Sequence, residues 1–157
     1  MADGVFNISK GRGWELADRV EQGDPAASRL VVKLLTTTGL EADATLEDYD
    51  TFSAIVTAAN TEADFTNYGS GKVITAAGIT LTTDDTGNTN YFTIADQTWT
   101  AAGGGTNNTL AKLIVCYDPL GTNVAANLVP ISHHDFSATT NGNDLTADFG
   151  TNVFEAA

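Results

Sequence analysis

The second half of the chain consists of short apolar or β-branched runs separated by clusters of glycine, asparagine, aspartate and threonine. The pattern begins after Tyr68 and is typical of strands that are joined by turns. It predicts strands near 72–75, 79–83, 90–95, 110–117, 128–138, 144–149 and 151–155. Many short strands with frequent turns indicate an antiparallel sandwich or a barrel-like β region.

Two of these runs support more detailed predictions. The run from Leu110 to Tyr117 is apolar on both faces except at Lys112, which predicts a central strand covered on both sides. The segment 136–149 contains Asn141-Gly142, a strong signal for the turn of a β-hairpin. Apolar and polar residues alternate after that turn, so one face of the second strand is expected to be buried. The apolar positions of that strand are Leu145, Ala147 and Phe149.

The first third of the chain has helical periodicity in two places. Residues 10–22 carry apolar side chains at every third position, which predicts an amphipathic helix ending before Gly23. These positions are Trp14, Ala17 and Val20. A second helix is predicted over 46–59, with Asp43 or Thr45 as its amino-terminal cap.

One further run, 28–35, is rich in valine and leucine, and its β-branched pair and flanking turn residues favour a strand over a helix. The chain length fits one domain. We therefore expect a single domain over 1–157, with a helix-containing part at 1–68 and a β-rich part at 69–157. The fold class predicted is α+β, mainly β, with one or two amino-terminal helices.

The charge balance limits the partners that the chain can bind. Seven Lys and Arg residues against 20 Asp and Glu give a formal net charge of −13, which repels nucleic acid and anionic lipid. No apolar run approaches the roughly 20 residues of a membrane helix. Because 42% of the residues are hydrophobic and only 17% are charged, the sequence predicts a folded protein with neither nucleic acid nor membrane as partner.

The residues that could carry chemistry lack the spacing that chemistry needs. His133 and His134 are adjacent, so on a strand they point to opposite faces and do not share a metal. The segment 84–88 resembles part of a calcium loop but lacks the required Gly and Glu, and 103–106 lacks the Lys of a phosphate loop. Cys116 lies in an apolar run and is read as a core residue. The sequence predicts no catalytic residue, metal or cofactor, and therefore no enzyme.

The two tryptophans have two interpretations. Trp14 and Trp99 could form a platform on which a sugar stacks, but tryptophan is also a common anchor in cores and interfaces. Trp14 lies on the apolar side of its predicted helix, which favours the anchor.

Several segments together resemble the small structural proteins that tailed double-stranded DNA bacteriophages encode near their major capsid protein. The similarity spans most of the chain. The segments are Met1 to Arg12, Leu40 to Leu46, Asp96 to Trp99, Cys116 to Pro119 and His133 to Phe136.

This resemblance implies a capsid decoration (cement) protein on the outer surface of the virion. It also implies a homotrimer that binds the major capsid protein and clamps neighbouring capsid subunits. The two ends of the chain, before Lys10 and from 152 to 157, are expected to contact other chains. The candidate interface residues are Val5, Phe6, Ile8, Trp14, Trp99, Val153 and Phe154. The alternatives are a tail or baseplate component with a carbohydrate-binding β module and, less favoured by the residues, a glycan hydrolase.

Overall fold

The computed structural model describes residues 3–150 and 153–156. Within these residues the chain forms ten strands and three α-helices. The helices are α1 (Gly13–Gln22), α2 (Asp43–Leu46) and α3 (Phe52–Ala58). The strands are β1 (Asp3–Val5), β2 (Arg29–Thr36), β3 (Lys72–Ile74), β4 (Ile79–Asp84), β5 (Thr89–Ile94), β6 (Gln97–Trp99), β7 (Thr109–Asp118), β8 (Val129–Thr139), β9 (Leu145–Ala147) and β10 (Phe154–Ala156). The predicted class, α+β and mainly β with antiparallel sheets, is confirmed.

A five-stranded antiparallel sheet in the order β1-β8-β7-β2-β3 forms the centre of the fold. β7 lies between β8 and β2, and all of its residues from Lys112 to Asp118 are buried. The predicted central strand is therefore confirmed. β2 is likewise buried from Leu30 to Thr36, which confirms the strand favoured for that run.

The central sheet separates two apolar layers. Alternate residues of β2 point to opposite faces, so Val32 belongs to one buried cluster and Val31 to the other. The larger cluster contains side chains of α1 and of the smaller sheets, and the other contains side chains of α2 and α3. None of the helices in residues 3–150 and 153–156 is long and apolar enough to cross a bilayer.

Two smaller antiparallel sheets complete the fold. One has the order β10-β5-β4, and the other pairs β6 with β9. Phe92 of β5 stacks on Phe154 of β10 with ring centroids 5.9 Å apart, which holds β10 against its neighbour. The predicted strand at 151–155 is represented by β10, and residues 151–152 lie outside the described part of the chain. β1 and β6 are strands that the sequence pattern did not predict.

The hairpin predicted over 136–149 is wrong. β8 pairs with β7 and β1, whereas β9 pairs with β6. The amide groups of Asn141 and Gly142 both donate to the carbonyl oxygen of Ala102, at 3.1 and 2.7 Å, and Ala102 donates back to Asn143. These bonds direct the chain away from β8. The predicted alternation within β9 is confirmed, since Ala147 is buried and Thr146 is exposed.

The helix predicted over 46–59 is interrupted. Thr51 is extended, with φ −141° and ψ 151°, and its hydroxyl accepts a hydrogen bond from the Ala54 amide. The next amide, that of Phe52, donates to the Leu128 carbonyl at 3.0 Å. Thr51 therefore acts as an amino-terminal cap that starts α3 afresh. The first predicted helix is confirmed as α1, which ends at Gly23 with φ 66°.

Candidate functional site

Four of the seven predicted interface residues are packed inside the chain itself. Phe6 and Trp99 have no exposed surface, and Val153 and Phe154 are 4% exposed. These four are core residues in this fold, because the tertiary structure brings each of them against an apolar layer of its own chain. Val5, Ile8 and Trp14 are half-buried at the edge of those layers. Of the seven predicted residues, Val5, Ile8 and Trp14 are therefore the ones with surface left for another chain.

Trp99 is the largest of the fully buried side chains. Its indole Nε1 donates to the Tyr68 carbonyl at 3.2 Å, and its ring stacks on the Tyr68 ring at 6.4 Å between centroids. Phe65 meets the same indole edge-on at 6.5 Å. The Trp99 ring offers no exposed face on which a sugar could stack.

The adjacent histidines lie on opposite faces of β8. His133 packs edge-on against Phe6, and its Nε2 lies 3.4 Å from Glu47 Oε1. His134 Nε2 lies 3.0 Å from the hydroxyl of Ser132. In the described part of the chain no group of three or more His, Cys, Asp or Glu side chains could hold a metal ion.

His133 belongs to a polar cluster that ties the amino-terminal segment to the loop after α2. Glu47 is shared between His133 and Lys10, whose Nζ lies 3.2 Å from Glu47 Oε2. Lys10 also donates to Asn7 Oδ1, and the Asn7 side chain donates to Asp48. We call these five residues the amino-terminal clamp. No sequence pattern predicts this cluster, because its members are up to 126 positions apart.

Gly4 is the point at which β1 passes closest to the amino-terminal clamp. A Cβ atom on Gly4 would lie 2.2 Å from His133 Nε2 and 2.7 Å from Glu47 Oε1. We therefore expect Gly4→Ala to lower the free energy of unfolding by about 1–3 kcal/mol, the usual range for overpacking. Chemical denaturation measures the loss, and hydrogen exchange should show faster exchange in β1. Adding His133→Ala to Gly4→Ala should recover part of the lost stability, because it removes the ring that the new Cβ would meet. A Gly4→Ala protein as stable as the parent would contradict the close contact between Gly4 and His133.

A buried lysine, Lys33, lies on β2. The side chain of Lys33 is 3% exposed, and its Nζ lies 3.1 Å from Glu62 Oε1 and 2.9 Å from the Ser70 carbonyl. Tyr68 donates to Glu62 and accepts from the Leu34 amide. Burial raises the pKa of the Tyr68 hydroxyl well above its ordinary value.

Next to this group the chain forms an open depression of about 470 Å³, lined by residues 62–65 and 67–70. The Lys33 ammonium already has a carboxylate and a carbonyl as partners, and its Nζ lies 5.3 Å from the centroid of the Phe52 ring. The lysine is thus held in a fixed network, which is the arrangement of a structural ion pair.

Two loops that resemble ligand sites have their polar groups occupied within the chain. Asp84 Oδ1 accepts hydrogen bonds from the amides of Thr86 and Gly87, at 2.9 and 3.0 Å, so it closes a turn. In the glycine-rich loop, the Gly104 amide donates to Asn107 Oδ1 and the Thr106 amide donates to Thr66 Oγ1. These hydrogen bonds within the chain account for the residue types in both loops.

Among the side chains that the structure describes, three large apolar ones are exposed: Val73 at 42%, Leu120 at 55% and Val124 at 49%. Leu120 and Val124 lie on the connection from β7 to β8. Asn123 on that connection donates to the Ser70 carbonyl at 3.0 Å, which places the connection beside the segment that leads into β3. Val73 pairs with Val31 of β2 in the same region of the sheet. We call Val73, Leu120 and Val124 the apolar patch.

The apolar patch was missed at the level of the sequence. Leu120 and Val124 stand in a turn-rich segment, Asp118 to Asn127, where an apolar residue has no periodic partner. The sequence feature that could have indicated the patch is an isolated apolar residue in a turn. Single exposed apolar residues are ordinary on protein surfaces, so only their proximity in the fold makes them a candidate.

The basic residues are largely neutralised by the fold. Five of the seven Lys and Arg side chains form ion pairs with carboxylates among the described residues: Lys10, Arg19, Arg29, Lys33 and Lys112. Lys72 places its Nζ 5.5 Å from the centroid of the Trp99 ring. Because seven Lys and Arg face 20 Asp and Glu, negative charge remains in excess after these pairs have formed.

Comparison with known proteins found no matching family model, no matching curated protein and no matching solved structure.

Proposed function

We propose that this chain is an outer capsid decoration (cement) protein of a tailed double-stranded DNA bacteriophage. In this proposal it binds the major capsid protein on the outside of the virion as a homotrimer and stabilises contacts between capsid subunits. Two observations support the proposal: the resemblance of the segments quoted above, and an exposed apolar patch on an otherwise acidic surface.

The apolar patch is the observation that carries the proposal. Leu120 and Val124 are about half exposed, and burying apolar surface contributes roughly 25 cal/mol per Å². The patch lies where β7 ends and β2 begins, because Asp118 pairs with Arg29. Asp118 accepts hydrogen bonds from the amides of Leu120 and Asn123, at 3.2 and 2.7 Å, so the connection that carries the two side chains is already ordered and loses less entropy on binding.

A protein that binds only the assembled shell stabilises that shell by mass action. The net charge of −13 opposes aggregation of decorated particles, since like charges repel. Salt screens this repulsion over about 8 Å at physiological ionic strength. In the proposed role the charge keeps decorated particles dispersed, while the patch provides adhesion to the capsid.

Cosedimentation of the purified chain with capsids that lack it tests the proposal. We expect saturable binding, a fixed stoichiometry and greater resistance of the capsid to heat, and light scattering should give the mass of a trimer. A well-folded preparation that does not bind capsids would overturn the proposal and favour a tail or baseplate component. A glycan array then tests the carbohydrate-binding alternative.

The apolar patch gives this test a matched pair of variants. Leu120→Asp with Val124→Asp should weaken capsid binding at least tenfold, because two buried apolar contacts of this size correspond to about 1.4 kcal/mol or more. The control is Thr37→Asp with Thr38→Asp, which adds the same charge on exposed residues at the opposite end of β2. Equal losses in both pairs would attribute the effect to charge alone.

A further inference from the structure

β4 is an unprotected edge of the sheet β10-β5-β4. It pairs with β5 along its whole length, and among residues 3–150 and 153–156 no strand pairs with its other side. The register runs without a bulge from Ile79 opposite Ile94 to Asp84 opposite Thr89. Natural sheets protect such edges with lysine, proline, bulges or very short strands. β4 has six residues and contains neither lysine nor proline.

The hydrogen-bond pattern identifies which groups of β4 face outward. The Ala95 amide donates to the Gly78 carbonyl at 2.9 Å, so this pair belongs to the hydrogen-bonded set of the ladder. In an antiparallel pair these sets alternate. Thr80, Thr82 and Asp84 therefore bond to β5, and the amide and carbonyl groups of Ile79, Leu81 and Thr83 point away from it. In the described part of the chain no residue outside the sheet bonds to these groups.

The other edges of the described sheets differ from β4. β1 and β3 each have three residues, and β3 carries Lys72. β10 also has three residues. Of the edge strands, β4 is the one whose length matches a typical strand, which is about five to six residues.

The charge around β4 indicates the chemistry of a partner strand. The sequence from 73 to 111 contains no Lys or Arg, whereas Asp84 and Asp85 stand at the end of β4 and Asp96 follows β5. Asp85 is exposed. An incoming strand with basic residues would gain from these carboxylates. A second β4 edge carries the same carboxylates and no Lys or Arg, so it would be repelled at this edge.

We propose that the outward edge of β4 binds an extended, basic segment of a partner protein, which adds as a fourth strand to the sheet β10-β5-β4. Main-chain hydrogen bonds would provide affinity, and Asp85 would favour a basic segment. The identification of the partner as a capsid subunit rests on the proposed function. The preference for an extended, basic segment rests on the β4 edge alone.

Hydrogen exchange on the capsid-bound chain tests this inference. We expect the amides of Ile79, Leu81 and Thr83 to exchange slowly only when capsid is bound, whereas those of Thr80 and Thr82 are slow in both states. Capsid binding without protection of the outward amides would overturn the inference and leave the proposed function intact. Protection in the free chain, accompanied by the mass of a dimer, would assign the edge to a second copy and also overturn it.

Substitutions at the exposed Thr83 distinguish the contribution of the backbone amide to binding from that of the side chain. Thr83→Pro removes one outward amide and should weaken binding about tenfold, the effect of one hydrogen bond. Thr83→Val keeps the amide and should bind like the parent. Asp85→Asn should weaken binding about threefold at low salt, as expected for an exposed charge, while Asp50→Asn, an exposed residue of the loop before α3, should not. Equal binding by Thr83→Pro and Thr83→Val would overturn the inference, provided that both unfold at the parental temperature.

If the chain does not bind capsids, the proposed function fails and the edge is tested with two synthetic peptides. One alternates valine with lysine over ten residues, and the other carries glutamate in place of lysine. Fluorescence anisotropy should show binding of the lysine peptide that is at least tenfold tighter and that is weakened by Thr83→Pro. Equal affinity for the two peptides, or no binding of either, would overturn the inference.

Discussion

Trp99→Ala is expected to lower the free energy of unfolding by about 3–5 kcal/mol, the range for truncating a fully buried large aromatic side chain. The substitution removes the ring between Tyr68 and Phe65 and leaves a cavity. It also leaves the Tyr68 carbonyl without the donor at 3.2 Å. Urea denaturation followed by circular dichroism measures the loss.

Two controls separate packing from hydrogen bonding at Trp99. Trp99→Phe keeps an aromatic ring but loses the donor, so it should cost about 1–2 kcal/mol. Trp14→Ala should cost less than Trp99→Ala, because Trp14 is half-buried and its Nε1 has no hydrogen-bond partner in the described part of the chain. A Trp99→Ala protein that loses no more than the Trp14→Ala protein would contradict the burial of Trp99.

Lys33→Ala is expected to lower the free energy of unfolding by about 2–3 kcal/mol. Removing one partner of a buried ion pair costs about 3–5 kcal/mol, and the side chain of Glu62, which is 28% exposed, recovers part of its hydration. The substitution also removes the donor to the Ser70 carbonyl. Thermal and urea unfolding measure the change.

A double-mutant cycle tests whether Lys33 acts through Glu62. Lys33→Met combined with Glu62→Gln should cost less than the sum of the two single changes, because neither charge is then left without its partner. The exposed pair of Arg19 and Glu15, at 2.9 Å, is the matched control. Its cycle should give a much smaller coupling energy, because water screens an exposed ion pair. Equal coupling energies in the two cycles would contradict the importance of burial.

The existence of most strands was predictable because strand patterns are local. β7 is apolar at consecutive positions, and such a run is stable only where both faces of a sheet are covered. The same reasoning placed β2, and glycine at 23 identified the end of α1. The spacing of apolar residues within a segment predicts which of its side chains are buried, so no other part of the chain is needed for that prediction.

The pairing of strands was not predictable from the same patterns. Asn141-Gly142 is a good turn signal, yet its amides bond to Ala102 in a distant segment, and β9 pairs with β6. Likewise, Thr51 begins a new helix because its hydroxyl and the following amide find other partners. Such competing bonds form between residues far apart in sequence, so no local window contains them.

The candidate interface residues also show the difference between what residue type predicts and what the fold decides. Trp99 was predicted as an anchor from its residue type, and Phe6, Val153 and Phe154 were predicted as interface residues near the two ends of the chain. Whether such a side chain serves its own core or a partner depends on what the fold places beside it. The apolar patch and the free edge of β4 both arise from neighbours that are distant in sequence.

The sequence by itself determined the acidic character, the mainly β class and the positions of the long buried strands, because composition and periodicity are properties of the chain. Only the tertiary structure decided which strands pair, which aromatic residues are buried, and which apolar side chains and backbone groups remain exposed. Those outcomes depend on contacts between distant segments, and such contacts exist only once the chain has folded.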